Sequence, residues 1–130
     1  LEDVDQLLLV SHAEVPHFYQ TKTILQTLRH MGFTEERVHL LVNRFPRDSE
    51  ISLPEVERLI GVPIYLNLPN SYPELYRALA EGRLLAPDTP LGKQYTRLAQ
   101  NLLGVEQGGR PGRDLPLLGV KKVAAGWESV

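Results

Sequence analysis

The chain has 130 residues, 42% hydrophobic and 23% charged, which suits one ordinary globular domain with a single core. A formal charge of −2 removes the Lys and Arg excess on which non-specific nucleic-acid binding rests, so no nucleic-acid partner is expected. Zero cysteines exclude disulfides, thiolate zinc sites and a cysteine nucleophile, and no apolar run approaches the roughly 20 residues of a membrane span.

The start has no signal-peptide pattern, and a cytoplasmic setting is expected. The chain opens on Leu1 without methionine and enters a strand almost at once, so it reads as a piece of something longer. Such a piece is expected to leave a sheet edge and an apolar face bare.

Gln6-Leu7-Leu8-Leu9-Val10-Ser11-His12 is a continuous apolar run that predicts a strand buried on both faces. Pro16 suits a helix start. From His17 to Met31, Phe18, Thr21, Ile24, Leu25, Leu28 and Met31 recur at helical spacing, with Gly32 as the stop. Glu35, Glu36 and Arg37 form a polar turn, and Val38-His39-Leu40-Leu41-Val42-Asn43-Arg44-Phe45 follows as the second strand. That run ends in an amide and a guanidinium, groups costly to bury without partners, and Asn43-Arg44 is therefore a candidate site.

After Pro46 a loop leads to Ser52, which can cap a short helix through Pro54, Val56, Leu59 and Ile60, with Glu55 closing a capping box and Gly61 ending the helix. Residues 62–68 predict the third strand, its early proline tolerated because it need not donate to a ladder there. Pro69-Asn70-Ser71 turns into a helix from Pro73 to Glu81 whose apolar face is Leu75, Tyr76, Leu79 and Ala80, with Gly82 beyond it. A last helix, Leu91 to Leu103, places Leu91, Tyr95, Leu98, Ala99 and Leu102 on one face.

The order β-α-β-α-β-α-α predicts an α/β fold with a three-stranded parallel sheet, and ligands of such sheets bind outside the carboxyl ends of the strands. Ser11-His12-Ala13-Glu14, Asn43-Arg44 and Pro69-Asn70-Ser71 share that rim. Residues 1–104 form the folded unit. Gly108, Gly109, Pro111 and Gly112 break any pattern beyond it, so 105–130 is expected to be a flexible tail. Its Leu117, Leu118, Val120, Val123 and Trp127 with Lys121-Lys122 offer weak membrane contact, because Gly119 and Gly126 each oppose helix by roughly 1 kcal/mol.

An apolar strand ending in Asn43-Arg44-Phe45, then Ile51-Ser52-Leu53, Gly61-Val62-Pro63, Leu68-Pro69-Asn70, Glu81-Gly82 and Thr89-Pro90-Leu91 occur in order. This succession resembles the C-terminal half of ParA/MinD-type P-loop ATPases, a doubly wound Rossmann-like fold. Within that superfamily it looks most like the CpaE/TadZ pilus-assembly branch. The resemblance implies that Asn43 reads adenine, with Arg44 beside it and Leu68, Pro69 and Asn70 forming part of the base pocket. It also implies ATP or ADP with magnesium in the intact parent, nucleotide-driven homodimers, and pilus or secretion components as partners at a membrane or pole. A carboxamide complements the N6/N7 edge of adenine, and a proline ring offers the base an apolar face.

No G-x-x-x-x-G-K-[ST] occurs in these 130 residues; Gly92-Lys93 is followed by Gln94 and has Pro87 five residues before it. The chain alone is therefore expected neither to hydrolyse ATP nor to bind nucleotide tightly. A nucleotide-independent scaffold on the same fold is the rival reading. A flavodoxin-like domain would need phosphate-binding glycines that Ser11-His12-Ala13-Glu14 lacks.

No metal site and no catalytic residue are expected. His12 and His17 show no carboxylate at a helical offset, and Ser11, His12 and Glu14 lie too close along one strand end to form a hydrolase triad. Glu55, Glu57 and Glu74 are expected on solvated faces.

Overall fold

A computed structural model describes residues 4–104, and the expected tail lies outside them. Three strands, β1 (Leu7–His12), β2 (Val38–Phe45) and β3 (Ile64–Pro69), pair in parallel in the order β1-β2-β3. The helices are α1 (Val15–His30), α2 (Leu53–Ile60), α3 (Tyr72–Ala80) and α4 (Pro90–Leu103), with one 3-10 turn at Glu35–Arg37. The expected succession of elements and the α/β class are both present.

Local chemistry sets the helix ends. Gly32 sits at φ 88 behind α1, where the Phe33 amide bonds the Leu28 carbonyl and the Gly32 amide bonds that of Arg29, a Schellman closure. Gly82 does the same behind α3 through Ala78 and Leu79. At the start of α2 the Glu55 carboxylate accepts from the Ser52 amide at 2.8 Å and the Ser52 hydroxyl at 2.6 Å. Thr89 caps α4 by accepting from the Gly92 amide at 3.0 Å.

Two cores lie on opposite faces of the sheet. Phe18 and Leu25 of α1, Val56 and Ile60 of α2, Leu40 and Val42 of β2, and Ile64 of β3 form one. Leu41, Leu66, Leu68 and Leu91 form the other beneath α4. Each such side chain contributes roughly 1.5–3 kcal/mol on burial. Ile64 faces the first core while Leu66 and Leu68 join the second, although all three share parity. The register explains it: Leu40 pairs Ile64 but Leu41 pairs Leu66, so one extra β3 residue, Tyr65, flips the strand. Tyr65 then lies 4.4 Å from the His39 ring, and burial lowers the pKa of this histidine and raises that of the tyrosine.

Several expected faces are corrected. β1 is not buried on both faces: it lies at a sheet edge, and Val10 is 57% exposed because α4 covers β3 instead. Ile24 and Met31 of α1 face solvent. In α4, Leu91 and Gly92 are buried and Leu98 packs on the core, whereas Tyr95 and Leu102 are exposed. α3 is reversed, since it buries only Ala78 and leaves Leu75, Tyr76 and Leu79 exposed beside Tyr72. Nor are the carboxylates merely solvated, for Glu57 accepts the Ile64 amide at 2.8 Å and thereby ties α2 to the start of β3.

Gly92 has no room for a side chain: a Cβ there would collide with the Ala86 carbonyl and come within 2.8 Å of Thr89 Oγ1 and 2.9 Å of Pro87 Cα. Gly92→Ala should therefore destabilise the fold by about 1–3 kcal/mol, read as a lower urea midpoint.

The Ser52 hydroxyl and then the Ser52 amide hold the Glu55 carboxyl below its ordinary value of 4.5. A depressed folded-state pKa makes this bond's contribution fully present above that value and progressively lost as pH falls through the lower one. Glu55→Gln should flatten the acid limb of stability against pH, measured as urea midpoints on either side of that value.

Candidate functional site

The rim at the strand ends is shaped by a second register change. Val42 pairs Asn67 and Phe45 pairs Pro69, so three steps along β2 match two along β3. The surplus falls on Asn43-Arg44, a bulge at the end of the strand. Arg44 adopts φ 57, the one non-glycine residue at positive φ among the described residues. A left-handed arginine is held against roughly 1–2 kcal/mol of local strain, so its surroundings must fix it. One fixing bond is visible: the Asn70 amide donates to the Phe45 carbonyl at 3.1 Å, tying the loop after β3 to the end of β2.

Asn43 is half-buried and pairs in register with His12 of β1. Arg44 and Asn70 are exposed, and Pro69 is half-buried. These four therefore meet at one rim. Leu68 does not join them, because its side chain is 5% exposed and packs with Leu41, Leu66 and Leu91. The rim thus combines an amide with two donors and an acceptor, a guanidinium and a proline ring. That set can bind a flat heteroaromatic edge. The described residues hold no glycine-rich loop of the kind that cradles phosphates.

At the end of β1 lies a polar knot that sequence reasoning missed. Ser11 and Thr21 are 3% and 4% exposed, with their hydroxyls 2.9 Å apart. The triad reading fails on geometry, since Ser11 is buried against α1 while His12 next to it is exposed. The His12 and His17 rings are 5.4 Å apart, and Glu14 Oε2 lies 3.4 Å from His17 Nδ1. A carboxylate does stand at a helical offset, three residues before His17, a spacing readable in the sequence. Among the described residues, no set of three or more His, Asp or Glu is grouped to hold a metal.

An open depression of about 480 Å³ lies elsewhere, at the C-terminal end of α1, lined by Arg29, Gly32, Phe33, Thr34, Glu35 and Glu36. It contains none of the rim residues.

No protein-family model and no curated protein matches the chain. Among solved structures it is similar to the crystal structure of a ParA family ATPase from Chlorobium tepidum TLS, at 25% identity and a TM-score of 0.66. The match covers 78% of this chain and 43% of that one. The chain therefore has a ParA/MinD-like fold and corresponds to less than half the length of this ATPase.

If strain is stored at Arg44, glycine should relieve it. Arg44→Gly is expected to raise stability by about 1 kcal/mol and Arg44→Val to lower it, as measured by urea unfolding.

Proposed function

We propose that these residues are the adenine-binding part of a ParA/MinD-like ATPase, closest to the CpaE/TadZ branch and acting in Flp/Tad-type pilus assembly or polar localisation. The observation that carries the reading is the bulged Asn43-Arg44 rim, set beside Pro69-Asn70 on a fold similar to a ParA family ATPase. In this reading Asn43 donates to and accepts from the adenine edge, Pro69 packs on the base, and Arg44 and Asn70 border it. The backbone at Leu68 supports the rim while its side chain stays in the core. Magnesium and the ATP or ADP phosphates would be held by segments outside these 130 residues, since no phosphate loop occurs within them. Bound nucleotide would then drive the parent into homodimers that recruit pilus or secretion components from the cytoplasm, at a pole or at a membrane touched weakly by the tail. No helix among the described residues is long and apolar enough to cross a membrane.

A second reading, a nucleotide-independent scaffold, is favoured by one feature. Tyr72, Leu75, Tyr76 and Leu79 form an exposed apolar stripe along α3, between 42% and 78% exposed, directly after the rim.

Calorimetry with ATP and ADP on the intact parent separates the two. Magnesium-dependent binding, weakened about 10- to 100-fold by Asn43→Ala, is the expected result. A folded parent that binds no nucleotide at millimolar concentration would overturn the ATPase reading and leave the scaffold.

A further inference from the structure

We propose that His12 and His17 together bind a divalent transition-metal ion of the zinc type, with the Glu14 carboxylate orienting the His17 ring. The two rings come from different elements, the end of β1 and the first turn of α1, and their centroids are 5.4 Å apart with planes tilted by 40°. Metal–nitrogen bonds of about 2.0–2.1 Å would place two imidazoles on one tetrahedral ion at a centroid separation of roughly 5 Å. The observed centroid separation matches that of two imidazoles sharing one ion.

The second observation concerns the tautomer. His17 Nδ1 is buried and has no hydrogen-bond partner, yet Glu14 Oε2 lies 3.4 Å from it. A small rotation of the exposed Glu14 side chain would let its carboxylate accept the Nδ1 proton and leave Nε2 as the ligand nitrogen, the arrangement by which outer carboxylates tune metal-bound histidines.

The third is the rigidity beneath the pair. Ser11 Oγ donates to the His12 carbonyl at 3.1 Å, and Thr21 Oγ1 lies 2.9 Å from Ser11 Oγ and 2.7 Å from the His17 carbonyl. Two hydroxyl protons cannot serve all three contacts at once, but Ser11 can donate to the His12 carbonyl while Thr21 donates to the His17 carbonyl, so one hydroxyl holds the backbone of each histidine and lowers the entropy lost when the rings are fixed on an ion.

Two imidazoles and, among the described residues, no third protein ligand leave the remaining coordination positions to water, and His12 is exposed enough to admit it. Imidazole donors suit zinc, nickel and copper rather than magnesium or calcium. The positive end of α1 opposes a cation weakly, and the Glu14 charge offsets it. Affinity in the micromolar range is expected.

The test is a calorimetric titration of the 130-residue chain with zinc alone, in the absence of nucleotide, so that its outcome is independent of the adenine reading. One ion per chain is expected, with His12→Ala and His17→Ala each weakening binding at least about tenfold and Glu14→Gln by about tenfold. His30→Ala and His39→Ala should leave it unchanged. Nitrogen chemical shifts of the histidine rings should move at residues 12 and 17 alone. Because His12 is exposed and His17 half-buried, the variants should retain the cooperative unfolding of the parent chain. Zinc affinity that survives the double substitution His12→Ala/His17→Ala overturns the proposal, as does a folded wild-type chain that binds no zinc at millimolar concentration.

Discussion

Leu40, Leu41 and Val42 of β2 alternate between the two cores, and each is 2% exposed or less. Neither core can close without this strand. It pairs with β1 on one edge and β3 on the other, so it also fixes where α1, α2 and α4 pack. A shift of β2 by one residue would turn Leu41 toward α1 and α2 and send Leu40 and Val42 toward α4. The steep apolar character of the run and its position between two crossovers make that shift costly. The sheet's register is consequently the constraint from which helix positions follow.

Element type and order were legible because the signals were local. Gly32, Gly61, Gly82 and Gly104 stand behind the four helices at positive φ, and Ser52 with Glu55 marks the start of α2. Boundaries moved by no more than two residues for the same reason: caps belong to a few adjacent residues. Which side of a helix is buried was less legible. Periodicity in α3 shows a two-sided helix, but the buried side is the one carrying Ala78, and Leu75, Tyr76 and Leu79 lie outside. The same limit applies to β1, where an apolar run reads as central and turns out to lie at an edge. Burial on a given face depends on what the rest of the chain places there, and no local pattern encodes it.

The polar end of β2 was legible as a break in an apolar strand, and its shape was not. Asn43 and Arg44 stood out because polar groups ended a strand that is otherwise apolar. Their bulge could not be read, since it exists only as a mismatch between β2 and β3, and arginine carries no preference for positive φ that would announce it. The buried Ser11 and Thr21 hydroxyls were hidden for a related reason. They meet across ten residues and two elements, so only the docking of α1 on β1 brings them together.

The bulge also links the rim to the core. Two residues past Val42, regular alternation would point Arg44 at the α1/α2 core and Phe45 away from it. The extra residue reverses this, so that Phe45 packs on that core and the guanidinium is exposed. Burial at Phe45 therefore works with the Asn70 amide on the Phe45 carbonyl against the strain at Arg44, and that bond carries the same constraint into the loop after β3. Removing Phe45 from the core would withdraw the reason for the bulge, and Phe45 would lose its pairing with Pro69. The polar residues of the rim, Asn43 and Arg44, are thus positioned by a hydrophobic side chain that packs on the core.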